Sequence, residues 1–394
     1  MLATRLFREF CMCEKGSGML LIIATFLSIL ISNSFIGDSY IAIWQIKLGM
    51  MSIEHWINDG LMAVFFLMIG LELEREIYKG ELSNPRDALL PIFAAIGGMA
   101  VPAAIYAFFN AGTATSGGFG IPTATDIAFA LAILMMLGDR VPVSLKVFLT
   151  ALAVIDDLGA IIIIAIFYTN TILWPALIAA LAIFVLLLIF RLFKIKHLLI
   201  YLSGGVFMWY FMLQSGVHAT IAGVLLAFVI PFGKGDEISP SWKLQHAIHL
   251  PVSFGIVPLF ALANTAIIIN PDMGRIFSEY YAIGVSAGLI IGKPLGIILF
   301  SFLSVKMKLA RMPEDINWNL LLGSGFLAGI GFTMSIFITI LAFKDPAIIS
   351  NTKFIILISS LLAGSIGFLL IRNTTRTEKK KNMLTKADNN HFGS

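Results

Sequence analysis

Apolar runs long enough to cross a bilayer recur from residue 18 to residue 371, and this recurrence decides most of what the chain can fold into. Hydrocarbon offers no water to backbone N–H and C=O groups, so a spanning segment must be a helix or part of a closed barrel. Runs of about 20 residues fit helices; barrel strands need only about half that length. Hydrophobic residues make up 58% of the 394 positions and charged residues 13%, against roughly 25% charged in soluble domains. One soluble core could not hide that much apolar surface. The fold class is therefore an all-α polytopic membrane protein. Twelve spans are expected, near residues 18–36, 55–79, 88–110, 118–137, 143–168, 172–191, 198–213, 216–231, 242–269, 279–304, 318–343 and 350–371. Short connections make them antiparallel neighbours in one bundle. Residues 1–17 precede the spans, 18–371 form the transmembrane unit, and 372–394 form a basic tail. The first run lacks a small-residue cleavage pattern and is read as a retained span. The two cysteines, Cys11 and Cys13, lack redox spacing and are read as unpaired thiols.

Orientation follows from where Lys and Arg fall. With the N-terminus in the cytoplasm, twenty-two of the 27 lie in cytoplasmic segments. Four lie outside (Lys47, Arg275, Lys344 and Lys353), and Lys293 lies within a span. Both termini are thus expected in the cytoplasm. The tail opens RNTTRTEKKKN and carries the excess positive charge. It reads as a disordered, lipid-anchored segment; without an aromatic platform or fold signature it does not read as nucleic-acid binding. Residues 1–15 mix apolar and charged positions and are read as a short interfacial helix.

The informative residues are the charges inside the spans. Asp156 and Asp157 sit at the centre of VFLTALAVIDDLGAIIIIAIFY, which holds no other charge. As a helix it is about 33 Å long, so the pair falls near the midplane. One carboxylate there costs several kcal/mol, and a second adds repulsion. Asp126 lies in IPTATDIAFA and Lys293 in LIIGKPLGIIL. Near one end of span two, GLELEREIYKGE places Glu72 and Glu76 on one helical face with Arg75 in reach of Glu72. Each has a plain structural alternative. The span-two cluster fits a solvated helix end, Lys293 fits a neutralising partner, and Asp126 after Thr-Ala-Thr fits an N-cap. One lysine cannot neutralise three buried carboxylates, so protons or a cation must meet the surplus. Hard cations such as Na⁺ take oxygen ligands, and Thr125 and Asp126 add oxygens beside the pair. Protons and cation would compete for the same atoms. If both aspartates release protons as one cation enters, the exchange moves net charge.

Two spans carry helix-weakening residues. Gly120 and Pro122 precede Thr123–Asp126 in span four; span eleven reads GSGFLAGIGFTMSIF, with Gly323, Gly325, Gly329 and Gly331 before Thr333 and Ser335. Each is the middle member of a triplet, spans three to five and ten to twelve. The offset of seven spans makes the triplets cross in opposite directions. Inverted repeats with paired interrupted helices place a transport site at the midplane, and Asp126 and Lys293 suit the opposed helix ends.

The strings PTATDIAFA, ALAVIDDLGAIIIIAIFYTN, SGVHATIAGV, GLIIGKPLGI and GIGFTMSIF, with HWINDGLMAVFFLMIGLELERE upstream, closely resemble the NhaA family of bacterial Na⁺/H⁺ antiporters over nearly the whole chain. That family is itself a type example of the inverted-repeat pattern, so the two readings are not independent. The resemblance implies a core unit of residues 88–168 and 279–371, with the other spans forming an interface unit. It implies that Asp156 and Asp157 bind Na⁺ (or Li⁺) and protons. Asp126, Lys293 and Thr125 would lie at the helix crossing, with Lys293 able to pair with Asp156. It attaches a pH response to Glu72, Arg75, Glu76, His218, His246 and His249, and a transport effect to Asp59. It further implies a homodimer formed through an extracellular hairpin near residues 38–51, lipid as the surrounding partner, the bacterial inner membrane as location, and no cofactor beyond the transported ions. One departure stands out: where the family has a glutamate before the two histidines, KLQHAIH has Gln245, which cannot titrate.

Three other classes fit the sequence less well. An intramembrane aspartyl protease resembles a pair drawn from two helices with a G-x-G-D motif; here the aspartates are consecutive and the motif is missing. A cation channel needs ligands arranged in a ring. A Na⁺-coupled symporter of an organic solute would need a midplane set of solute-binding groups, and none stands out.

Overall fold

The computed structural model describes residues 2–80, 83–169, 171–233, 235–269 and 273–391. The side chains of residues 2–14, 85–87, 139, 273 and 378–391 lie outside that description, including those of Cys11 and Cys13. The described residues form helices joined by short irregular connections, with one small hairpin. In order come α1 (Leu2–Ser32), α2 (Gly37–Gln45), β1 (Lys47–Leu48) and β2 (Met51–Ser52). Then follow α3 (Ile53–Lys79), α4 (Pro85–Asn110), a 3₁₀ segment (Ser116–Thr123), α5 (Ile127–Met136) and α6 (Val143–Phe167). Next are α7 (Trp174–Leu192), α8 (Leu198–Ser215), α9 (Ile221–Val229), α10 (Pro240–Asn264) and α11 (Tyr280–Lys306). The chain ends with α12 (Trp318–Ala328), α13 (Phe332–Ala342) and α14 (Pro346–His391).

Among the described residues ten helices are long and apolar enough to cross a membrane, and α12 with α13, bent by 45°, makes an eleventh. The twelfth expected span, 216–231, contains only the nine-residue α9. Gly216 ends α8 at φ +83°, a conformation that suits glycine, and the helix does not restart until Ile221.

Several expectations are corrected. The N-terminal segment is not a separate interfacial helix; it is continuous with the first span in α1. The tail does not leave the last span as an irregular segment; α14 runs on to His391. The expected hairpin near 38–51 is narrower, because residues 37–45 are helical and the strands pair only Lys47 with Ser52 and Leu48 with Met51. Lys353, assigned above to an outer loop, lies in α14 and is only 8% exposed.

Packing brings the two triplets together at α4 and α11. A side chain added to Gly97 would strike the Gly296 carbonyl, and one added to Gly296 would strike the Gly97 carbonyl. Such close backbone approach is how membrane helices gain contact where burial from water offers no drive. It sets α11, which carries Lys293, against the first triplet. A second apolar cluster joins α3 to α7, α8 and α9 through residues such as Leu71, Leu187, Met208 and Leu226.

Candidate functional site

Both interrupted spans break against each other. In the first, the 3₁₀ segment ends at Thr123, residues 124–126 are extended, and α5 starts at Ile127. Gly120 and Pro122 thus lie inside the 3₁₀ segment, and the break is Ala124–Asp126 itself. In the second, α12 stops at Ala328 and α13 starts at Phe332. The Asp126 amide donates to the Ile330 carbonyl at 2.7 Å, and the Ser335 hydroxyl to the Ile121 carbonyl at 2.7 Å. The breaks therefore satisfy part of each other's freed backbone, as non-helical chain at membrane depth requires.

Asp126 serves the positive ends of two helices at once. Its Oδ1 accepts from the Phe129 amide at 2.9 Å, capping α5. Its Oδ2 accepts from the Thr333 amide at 3.0 Å and from the Thr333 hydroxyl at 2.5 Å, in the first turn of α13. A buried carboxylate between two helix N-termini meets unpaired N–H groups and both dipole ends. The capping and charge-compensation readings of Asp126 describe the same placement.

Lys293 serves the opposite, carbonyl end of the first interrupted span. Its ammonium donates to the Thr123 carbonyl, the last of the 3₁₀ segment, and to Asp156 Oδ2 at 2.6 Å. Lys293 is fully buried and Asp156 is 1% exposed. A π turn at Gly288–Gly292 immediately precedes it; such turns recur where a helix must re-aim a side chain at a site. The Thr125 hydroxyl lies 2.6 Å from Asp156 Oδ2 and 2.8 Å from the Ala328 carbonyl, at the end of α12. It has one hydrogen, so it donates to one of them at a time.

Asp156 and Asp157 occupy the centre of α6, both 1% exposed. Asp156 Oδ1 and Asp157 Oδ1 are buried oxygens with no hydrogen-bond donor among the described residues. The charged neighbours of Asp157 are Asp156, Asp126, Lys293 and Glu72. The carboxylates around Asp157 outnumber the one lysine beside them, so full ionisation would leave negative charge that Lys293 alone does not balance. Among the described residues no three or more His, Cys, Asp or Glu side chains are arranged to hold a metal ion. Any cation here would lean on hydroxyl and carbonyl oxygens as well as the two aspartates, which suits a weakly held, exchangeable hard cation. A cavity of about 30 Å³ lies nearby, lined by Leu21, Phe65, Met68, Glu72, Ile127 and Val257 among others, enough for a water-sized species.

The remaining predicted residues are dispersed. Glu72 is half-buried at the cavity, whereas Arg75 is exposed and Glu76 half-buried near the end of α3. Asp59 is half-buried in a π turn (Trp56–Leu61), and its carbonyl accepts from the Trp209 indole at 2.9 Å. His218 Nε2 lies 2.8 Å from the Tyr168 carbonyl, tying the start of α9 to the end of α6. In α10, Gln245 is buried, His246 is exposed and stacked on Trp242, and His249 is half-buried. Sequence reasoning missed Glu74. It is 1% exposed and lies 3.3 Å from Arg191 of α7, which also donates to the Phe228 carbonyl. The available signal was its position two residues from Glu72, on the opposite side of the helix.

A family profile described as Na⁺/H⁺ antiporter 1 matches residues 8–371. The chain is similar to a protein named Na(+)/H(+) antiporter NhaA from Flavobacterium psychrophilum, 61% identical over 369 residues, covering 94% of this chain and 96% of that one. Na(+)/H(+) antiporter NhaA 1 of Flavobacterium johnsoniae is 56% identical over 376 residues, covering 95% and 99%. The NhaA of Dechloromonas aromatica is 57% identical over 370 residues, covering 93% and 95%.

Proposed function

The chain belongs to the Na⁺/H⁺ antiporter 1 family, and on that premise we propose that Asp156 and Asp157 are where Na⁺ (or Li⁺) and H⁺ change places. The protein is a multi-pass membrane protein that exchanges Na⁺ for H⁺. Its relatives are named antiporters, and nothing in them favours the solute-symporter alternative. The observation that carries the site assignment is the pair of donor-free buried oxygens, one on each aspartate, beside the Lys293–Asp156 contact.

Exchange at this pair works through competition. With Lys293 paired to an ionised Asp156, the cluster holds a proton on Asp157 and one on the lysine without a metal cation. An entering Na⁺ draws on the free oxygens of Asp156 and Asp157; one proton leaves Asp157, and the lysine releases the second as Asp156 turns to the ion. Lys293 then loses part of its hold on Asp156, so Asp156 alternates between lysine and ion while Asp157 remains the ion ligand. Thr125 follows by turning its single hydrogen between Asp156 and the Ala328 carbonyl. Two protons leaving for one Na⁺ make the exchange electrogenic. Asp126 keeps the crossing rigid throughout, because its donors are helix-end groups and not the ion. The reading extends to Glu72, Arg75, Glu76, His218, His246 and His249 as a pH-responsive set, and to Asp59 as a residue that affects transport. It places the protein in the bacterial inner membrane with both termini cytoplasmic, supported by the Lys/Arg asymmetry. Homodimerisation through the β1–β2 hairpin and core and interface units along the triplet boundaries complete it.

The test is dissipation of a pH gradient by Na⁺, Li⁺ and K⁺ in everted vesicles, with the unmodified protein and Asp157→Asn side by side. Na⁺ and Li⁺, but not K⁺, are expected to move protons, and Asp157→Asn to lower the rate by about two orders of magnitude, as when a polar group essential at membrane depth is removed. A variant that exchanges at the unmodified rate sinks the site assignment. Transport indifferent to an imposed membrane potential sinks the two-proton stoichiometry.

A further inference from the structure

The second buried lysine of the helix bundle has no carboxylate within 4.0 Å among the described residues. Lys353 donates to Asn264 Oδ1 at 3.3 Å. Asn264 in turn donates to Asn58 Oδ1 at 2.8 Å and to the Phe260 carbonyl at 3.0 Å. The three side chains are 8%, 1% and 8% exposed, for Lys353, Asn264 and Asn58. They come from α14, the end of α10 and the π turn of α3, a turn type that favours functional positions. A buried ammonium held by a neutral amide is a poor way to stabilise a fold, since an apolar residue would avoid the desolvation cost.

The position of this contact separates it from the cavity beside Glu72. Along α3, the cavity uses Phe65, Met68 and Glu72, while Asn58 lies about two turns away in the other direction. At the level of the cavity's Asn58-proximal edge, one residue after Phe65, Phe66 of α3 and Phe337 of α13 meet with ring centroids 5.5 Å apart, and Phe260 of α10 lies 6.4 Å from Phe337 on the Asn264 side. All three rings are buried. Phe337 is one turn beyond Thr333, which holds Asp126. The order along the bundle is thus cavity, aspartate site, aromatic layer and lysine–amide contact. Lys353 stands on the triplet that also carries Lys293 and Thr333, whereas Asn58 and Asn264 stand outside both triplets.

We propose that the Lys353–Asn264–Asn58 contact is a latch on the side of the cation path opposite Glu72, closed while the aspartates face the Glu72 cavity and parted each time they face the other way. Alternating access moves a site-bearing bundle against its partner, and this contact joins the two. A charge–amide bond can be remade every cycle, and when parted its positive charge discourages stray cations from entering. The proposal rests on the exchange function stated above and adds the residues that close one side of the path.

The test starts from a parent with Cys11 and Cys13 changed to Ser, carrying Asn264→Cys and Lys353→Cys. A short bis-methanethiosulfonate bridges the two thiols and is released by reduction. Bridging is expected to lower Na⁺-driven proton movement at least tenfold (about the effect of holding one of two states closed), with recovery on reduction. A bridged protein that exchanges at the unbridged rate overturns the latch, because the contact then stays closed throughout the cycle. The parent without added cysteines separates the two readings: its failure to exchange would fault the antiport function, not the latch. Independently of bridging, Lys353→Met is expected to raise the apparent KM for Na⁺ offered from the Glu72 side about tenfold, with a smaller change in kcat, by shifting the population toward the other facing. Lys353→Arg, which keeps charge and donors, is expected to recover most of that loss. An unchanged KM in Lys353→Met also overturns the proposal.

Discussion

Lys293 and Lys353 are both buried in the second half of the chain, yet they face different chemistry. Lys293 meets a carboxylate and a helix-end carbonyl at the crossing. Lys353 meets one amide oxygen, on an element outside the triplets. The difference teaches what a buried charge is for. On the proposed exchange, Lys293 faces a titratable group that also serves the ion, so every change at that carboxylate changes the lysine's partner. Lys353 bonds directly to an amide whose charge never changes, with Glu54 the acidic group acting on it from beyond ion-pair distance, so on the proposed latch its direct contact responds to movement and not to ion binding.

The sharpest way to break this contrast is to give Lys293 the surroundings of Lys353. Asp156→Asn leaves Lys293 facing an amide. Removing one partner of a buried ion pair strands the other, at a cost of about 3–5 kcal/mol, so the Tm in detergent is expected to fall by more than for any other single change discussed. Lys353→Met removes a charge and strands only an amide, and its Tm is expected to stay within the effect of one lost hydrogen bond, about 1–2 kcal/mol. Equal losses in the two variants would erase the distinction. An intermediate effect is expected for Thr333→Val. It removes a short hydrogen bond to the Asp126 carboxylate, worth about 1.5–3 kcal/mol for a charged acceptor, while keeping the side chain's shape. Thermal melting and Na⁺-driven proton movement should both decline, since Asp126 positions the break but does not touch the ion. A variant with lost melting stability and intact transport would detach the crossing from the exchange.

Much of the crossing was legible because a charge inside an apolar run is conspicuous wherever its partner lies. The aspartate pair, Lys293 and the Thr-Ala-Thr-Asp cap all announce themselves. The partner of Asp126 does not: Thr333 is 207 residues away, and no local pattern links them. Position along a helix was also hard to read. Lys353 was counted with the outer charges because it falls at the edge of the expected 350–371 span, but Pro346 starts α14 four residues before that span and carries Lys353 inward by nearly two turns. Hydropathy made 216–231 look like a span, whereas Gly216 and the His218–Tyr168 contact hold its beginning out of helix. Glu74 hid within a charged cluster because its burial depends on Arg191, at the end of a different span.

The smallest expected effect concerns a residue that faces neither lysine. Gln245 is 9% exposed in α10, near the half-buried His249, and it stands where the family pattern described above has a glutamate. A glutamine contributes no proton to any pH response. If the pH dependence of exchange sums over several titrating groups, each added group alters the midpoint or the steepness of the profile while the maximal rate stays nearly constant. Gln245→Glu is therefore expected to leave the plateau rate of Na⁺-driven proton movement within about twofold, and to change the profile measured across pH. Both the Lys293 pairing and the Lys353 latch lie outside this residue, so the melting behaviour of Asp156→Asn and the KM shift of Lys353→Met should be unaltered when Gln245→Glu is added, as independent sites require. A profile superimposable on that of the unmodified protein would remove Gln245 from the pH response. A double variant whose KM shift disappears would instead show that α10 couples its two ends, from Gln245 to Asn264, and that the latch senses pH after all.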